Sequence, residues 1–213
     1  MSDKYDSRPD TMDHISKVRE FLKLIIDNLS IRSAAHDQSK LQSPEVEIFD
    51  EFTPKLKNSV YMSQEYKSFL GEMEVALNHH YANNSHHPQF FQPIENEVTK
   101  EIEKEIQELE TLRSCHFGDS SDEGSDILAR TIQRLRKTLA EEQSSINGMS
   151  LLDVIEMLID WKAATLRHAT GDIAVSIETN QKRFGYTNQT KAFFINTIEE
   201  LDLFNLPDIF EKE

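Results

Sequence analysis

Residues 34–40 read Ala34-Ala35-His36-Asp37-Gln38-Ser39-Lys40 and place an imidazole and a carboxylate next to each other in the chain. Neutral nitrogen and anionic oxygen both suit borderline divalent metals, so the His36-Asp37 pair can hold one cation from a single turn of backbone. Adjacent His and Asp residues also arise often by chance. The pair predicts a metal site only because the rest of the chain supplies further histidines and acids.

The composition of the 213 residues predicts one all-α domain with an elaboration. Glycine and proline are scarce, at six each, and alternating β-branched runs are few, which favours helices over strands. The chain is long enough to bury one core. Its 38 acidic and 23 basic residues give a net charge of -15. Such a charge repels long nucleic acids and anionic membranes, whereas a small phosphorylated substrate can still bind beside a metal.

Cysteine usage and hydropathy predict a cytoplasmic protein. A single cysteine, Cys115, excludes an intramolecular disulfide and fits a reducing compartment. The polar N-terminus lacks an apolar signal segment. No apolar run approaches the roughly 20 residues that a membrane span requires. We therefore expect no membrane partner.

Apolar periodicity predicts the helices of the first half. Steps of three and four residues from Thr11 to about Ile31 indicate an amphipathic helix whose buried stripe includes His14. Residues 1–10 are expected to be disordered, and a break is expected at 30–33. A second helix starts at Ser43-Pro44-Glu45 and should end at Pro54. One further helix is predicted over residues 64–80.

Residues 95–147 are predicted to form an inserted helical hairpin. Its tip, from Ser114 to Ser125, is polar and acidic and is expected to be mobile. The apolar stripes of its two arms can close on each other, on the body of the protein or on a second copy, so we assign it a structural or homo-oligomeric role. The sequence thus divides into a helical domain of residues 11–94 and 148–206, the hairpin, and a tail of residues 207–213.

The densest polar stretch of the chain holds four of its eight histidines. It reads Asn78-His79-His80-Tyr81-Ala82-Asn83-Asn84-Ser85-His86-His87-Pro88. Pro88 disfavours a helical conformation at His87, so His86 and His87 are expected on a loop or turn. A solvated polar loop and a site for phosphate or a second metal both fit this stretch.

A late helix, predicted over residues 150–168, carries two acids on one face. Glu156 and Asp160 are four residues apart, so their carboxylates project in the same direction. Unpaired acids in so apolar a helix are costly. Arg167 can pair with one of them, and a metal with histidine partners can account for the other.

These motifs resemble the H…HD…D pattern of HD-domain metal-dependent phosphohydrolases, and more narrowly a little-characterised HD-like family of bacteria and bacteriophages. The H…HD…D positions are His14, His36-Asp37 and Asp160. The narrower resemblance rests on His36 to Lys40 with Glu45, on His80 to Pro88, and on Glu156 to Trp161, and it covers roughly residues 12–93 and 148–203. Gln89 departs from it, because the family tends to carry glutamate there.

The resemblance implies an HD-domain-like helical bundle. By analogy with the superfamily, it is expected to hydrolyse a small nucleotide or related phosphoester with metal-activated water. The resemblance also implies one divalent metal (Mn, Co, Mg, Zn or Fe) held by His14, His36, Asp37 and Asp160. A second metal would use His80, His86 and His87. Catalytic roles fall to Asp37, Lys40, Glu45 and Glu156. Substrate contacts fall to Lys40, His80, Asn84, His86, His87 and Arg183.

Three other functions stay open at this point. An HD-like scaffold can bind a nucleotide or metal without turnover, for example as a phage factor that sequesters a signal in the host cytoplasm. A purely structural helical protein can assemble through the hairpin. A di-iron oxygenase can use a similar ligand set. The substrate, the number of metals and the oligomeric state are not set by the sequence.

Overall fold

The computed structural model describes residues 5–59, 63–117, 123–167 and 171–204. These residues form helices, turns and loops without a strand, which confirms the all-α prediction. The α-helices are α1 (Arg8–Ala35), α2 (Glu45–Asn58), α3 (Gln64–Glu72), α4 (Glu74–Asn83), α5 (Glu97–Phe117), α6 (Glu123–Glu142), α7 (Leu151–Thr165), α8 (Ile173–Phe184) and α9 (Asn188–Glu200). Short 3-10 turns lie at Gln38–Leu41, Pro88–Phe90 and Ser145–Gly148.

Helices α7, α8 and α9 form the main core. The Trp161 ring is nearly parallel to Phe184, at 6.3 Å between centroids, and meets Phe194 edge-on at 5.9 Å. Ile177 of α8 and Ile198 of α9 are fully buried in the same cluster. Because one face of α7 is held by this packing, the acidic face of α7 is held in a fixed direction.

A second group of helices, α2 to α4, packs around Phe52, Met73 and Ala76. The helix predicted over residues 64–80 is interrupted at the buried Met73, which separates α3 from α4. The predicted stop at Pro54 is wrong, because α2 continues to Asn58. A proline inside a helix removes one backbone hydrogen bond, and the packing of α2 through Phe52 tolerates that loss.

Helices α5 and α6 lie against each other and bury Ile106 and Ile132. Much of the tip that was predicted to be mobile is helical, since α5 extends to Phe117 and α6 begins at Glu123. Residues 118–122 lie outside the described part of the chain. Among the described residues, no helix is both long enough and apolar enough to span a membrane.

Helix α1 differs most from its prediction. It starts at Arg8, within the segment expected to be disordered, with Pro9 in its first turn, a position where proline is favoured. It also continues through the expected break at residues 30–33. None of its residues is buried, so the predicted buried stripe is wrong, and His14 is exposed. The tail of residues 207–213, with 205 and 206 before it, lies outside the described residues.

Candidate metal centre

The end of α1 turns His36 and Asp37 toward one place. The helix ends at Ala35, and His36, with a ψ of 127°, is the first residue that leaves the helical conformation. Asp37 has a φ of 56°, in the left-handed region that aspartate tolerates better than most residues. Consecutive residues of a continuous helix would point about 100° apart. This sharp turn lets both side chains reach the same cluster.

The two carboxylate oxygens of Asp37 face different sets of partners. Oδ2 lies 2.6 Å from the Lys40 ammonium and 3.6 Å from His36 Nε2. Oδ1 lies 3.2 Å from His80 Nε2 and 3.5 Å from His86 Nε2. Among the described residues, buried Asp37 Oδ1 and His86 Nε2 have no hydrogen-bond partner. Buried polar atoms are normally paired, so these two atoms mark a place where a ligand is expected.

Three groups of side chains among the described residues could each hold a cation: two of them share Asp37, and the third is His36, His86 and Glu156. We call His36, Asp37 and Asp160 site A, and Asp37, His80, His86 and His87 site B; in each, one ligand atom per residue lies within 4.8 Å of the others. In site B the Nε2 atoms of His80 and His87 are 2.8 Å apart. Nitrogen and carboxylate ligands in this mixture suit Zn²⁺, Mn²⁺, Co²⁺ or Fe²⁺. The donor set therefore fits the metal that the sequence predicts.

Glu156 orients one histidine from each site. Its Oε1 atom lies 2.9 Å from His36 Nδ1 and 3.2 Å from His86 Nδ1. A carboxylate beside both Nδ1 atoms leaves each Nε2 facing Asp37, which is how acids commonly support metal-bound histidines. Arg32 Nη1 donates to Glu156 Oε2 at 2.7 Å and holds the carboxylate in place.

Glu45 orients the imidazole of His80 in the same way. It is fully buried, and its Oε2 atom lies 2.9 Å from His80 Nδ1, while its Oε1 atom lies 2.7 Å from His79 Nδ1. Ser39 Oγ donates to Oε2 at 3.1 Å, and Asn84 Nδ2 donates to Ser39 Oγ at 2.9 Å. These contacts favour an orienting role for Glu45 and Asn84.

The pKa shifts show how the charged groups of the cluster balance one another. The nearby Asp160 carboxylate raises the pKa of His36 to about 9, so its imidazole is protonated at neutral pH. Burial lowers the pKa of His87 to about 3, so its imidazole is neutral and can offer a lone pair. Burial alone would raise the pKa of Asp37, but His80, His86 and Lys40 hold it well below its usual range. Asp160, close to His36, likewise has a lowered pKa despite its burial.

Metal binding at site A is expected to release a proton from His36. The apparent affinity for Mn²⁺ should rise about tenfold per pH unit from mildly acidic pH to about 9, and then level off, because the cation displaces one proton. Calorimetric titration in two buffers with different ionisation enthalpies measures the proton count. A His36→Gln variant should lose this release, and wild-type binding without it at pH 7 would contradict the assignment.

The structure brings together ten of the twelve residues that the sequence singled out. These are His36, Asp37, Lys40, Glu45, His80, Asn84, His86, His87, Glu156 and Asp160. His14 is not among them: at about 1.5 Å per residue it lies about 33 Å along α1 from His36. Arg183 is exposed on α8, and its guanidinium stacks over Phe184 instead of reaching the cluster. Gln89, which departs from the family pattern, has a buried Oε1 without a partner among the described residues.

Arg32 was not predicted as part of the site, and Ser85 and His79 were expected only as members of the histidine-rich stretch. Arg32 Nη2 donates to Asp153 Oδ1 at 2.5 Å, and Ser85 Oγ donates to the same atom at 2.5 Å. Arg32 thus takes the role expected of Arg167, which is exposed. The sequence did indicate that Arg32 lies near His36, because the two residues are four apart, a spacing that puts two side chains on one helix face. Asp153 also forms the capping box with Ser150 at the start of α7.

The fold and this cluster define an all-helical protein with a candidate metal centre of four histidines and two aspartates, supported by two glutamates. The chain belongs to a family described as "Family of unknown function (DUF5662)", whose model matches residues 3–112 and 135–202. The unmatched residues between them lie in the α5–α6 hairpin. No curated protein and no solved structure matches the chain significantly.

Proposed function

We propose that the chain is an HD-type metal-dependent phosphohydrolase that acts on a small nucleotide or a related phosphoester. The observation that supports it is the Asp37 carboxylate, whose two oxygens face two separate groups of metal ligands. Enzymes with two neighbouring metals commonly cleave phosphoesters. The resemblance of the His36-Asp37 and Asp160 motifs to HD phosphohydrolases favours the same chemistry and an HD-like arrangement of the helices.

Each group in the cluster has a role in this proposal. Divalent cations at sites A and B would lower the pKa of water and polarise a phosphoryl oxygen. The four histidines and two aspartates would hold those cations, and Glu45 and Glu156 would fix the imidazole orientations. Lys40, whose side chain is 26% exposed, carries its ammonium beside Asp37 at the edge of the cluster. It can therefore neutralise charge on a substrate phosphate.

The substrate class follows from charge and from the resemblance. A net charge of -15 disfavours a long polynucleotide, whose phosphates would be repelled over the whole surface. A small phosphoester meets mainly the local field of the cations and of Lys40. The choice of a nucleotide within this class rests on analogy with the HD superfamily.

The test combines metal content with turnover. Protein purified without chelator is expected to carry Mn, Co, Zn or Fe by mass spectrometry and to hydrolyse members of a panel of nucleotides and chromogenic phosphoesters. Asp160→Asn should lose most of this activity, whereas His14→Ala, a matched control on the exposed face of α1, should keep both metal and activity.

Three outcomes would count against the proposal. A wild-type protein that takes up no metal on soaking would exclude a metal-dependent enzyme. Metal without turnover of any panel member would favour a binding protein. Bound iron with oxygen consumption and no hydrolysis would favour a di-iron oxygenase.

A further inference from the structure

Helix α1 carries a wide apolar face that the described part of the chain leaves exposed. At 100° per residue, seven apolar side chains fall within an arc of about 140°. They are Ile15, Val18, Phe21, Leu22, Ile25, Ile26 and Leu29, and six of them are 37% to 64% exposed while Leu29 is half-buried. Between residues 15 and 29 this arc, which we call the α1 stripe, contains no polar residue. An arc this wide usually faces a core.

The direction of α1 explains why the body of the protein does not cover the stripe. Arg32 lies level with Asp153 and Glu156, and His36 lies near Asp160, so α1 and α7 run in the same direction. Helix α7 begins at Leu151, level with the last turns of α1. The part of α1 before Leu29 therefore extends past the N-terminal end of α7. Every residue of α1 from Arg8 to Asn28 is exposed.

A helix with so wide an exposed apolar face is expected to pack against another protein surface. Most of the stability of a helix in a protein comes from packing of its apolar face, not from intrinsic propensity. Large exposed apolar patches on proteins mark sites of interaction. Nine large apolar residues of α1 are at least 37% exposed. The stripe therefore has the character of an interface surface.

We propose that the α1 stripe packs against the same stripe of a second copy in a symmetric dimer. Its central residues Ile15, Val18, Leu22, Ile25 and Leu29 alternate at steps of three and four, the spacing by which two helices interlock side by side. The absence of charge on the stripe fits the core of an interface between identical chains.

The size of the stripe also fits a second copy. Side-by-side packing over this length would remove on the order of 600 Å² from each copy, the lower end of the size range of specific interfaces. The expected hairpin interface is less favoured, because α5 and α6 bury Ile106 and Ile132 against each other. This inference does not depend on the proposed hydrolase activity.

The test is the mass of the full chain in solution, measured by sedimentation equilibrium over a range of concentrations. The wild type is expected at about twice the 24.7 kDa of one chain. Leu22→Glu should weaken association by more than about 100-fold, because each copy would bury an unpaired carboxylate. Helical content by circular dichroism should be retained, since Leu22 is 52% exposed within one chain.

Two control variants locate the interface. Ser16→Glu places the same charge on the polar face of α1, and Ile127→Glu places it on the exposed face of α6; both should remain dimeric. A wild type that is monomeric at high micromolar concentration would overturn the proposal. So would a dimer that survives Leu22→Glu, or one that Ile127→Glu separates.

Discussion

Replacing Asp37 with asparagine is expected to abolish metal binding at both sites at once. Its Oδ2 faces His36 of site A and its Oδ1 faces the histidines of site B, so one carboxylate serves both groups. An amide offers one neutral oxygen, which is a weaker ligand than a carboxylate oxygen, and its N–H₂ group cannot ligate a cation. Because even residues that only support metal ligands cost about 10- to 100-fold in affinity, loss of a shared ligand should cost more than about 100-fold.

The same variant is suited to the experiment because it should still fold. Asparagine tolerates the left-handed backbone that Asp37 adopts at a φ of 56°. The matched comparison is Asp160→Asn, which removes a ligand of site A alone. Metal content per chain should fall from about two to about one in Asp160→Asn and to none in Asp37→Asn. An Asp37→Asn protein that retains two metals would refute the shared-ligand arrangement.

Replacing Glu156 with glutamine is expected to have the second largest effect, although the side chain is nearly the same size. Glu156 Oε1 lies 2.9 Å from His36 Nδ1 and 3.2 Å from His86 Nδ1, while Oε2 accepts from Arg32. A glutamine amide has one oxygen, so its N–H₂ group must face either the two imidazoles or the guanidinium, and one set of contacts is lost. We expect metal affinity to fall about 10- to 100-fold.

A metal titration distinguishes this orienting role from a purely structural one. Glu156→Gln should bind metal more weakly at both sites, with its unfolding midpoint in chelator little changed. Glu156→Asp, which keeps the negative charge, should recover part of the affinity. Glu72→Gln, an exposed position on α3, is the control and should behave as wild type. Unchanged metal affinity in Glu156→Gln would mean that His36 and His86 are oriented by other groups.

Much of the helix pattern follows from periodicity, but the ends of the helices do not. The spacing of apolar residues predicts helical segments where α1, α2, α5, α6 and α7 are found. It does not predict the interruption at Met73 or the continuation of α2 past Pro54, because both depend on packing between α2, α3 and α4. Periodicity also cannot tell which chain covers an apolar stripe. For that reason α1 was expected to be buried and is exposed.

The candidate site was predictable in its residue types and less so in its membership. The His36-Asp37 pair, the acids of α7 and the histidine cluster are each visible in the sequence, and the structure brings them together. His14 satisfied the same helical spacing and lies about 33 Å from His36 along α1. Arg32 was overlooked, because its partners Asp153 and Glu156 are more than a hundred residues away in the chain.

The sequence by itself determined that the chain is helical and that its candidate site consists of histidines and carboxylates, because apolar spacing and ligand type are local properties. Only the tertiary structure decided which four of eight histidines meet, that Asp37 serves two groups, and that α1 extends beyond the body. Those features depend on how α1, α4 and α7 pack together, and contacts between residues so distant in the chain are set by the free energy of the whole fold.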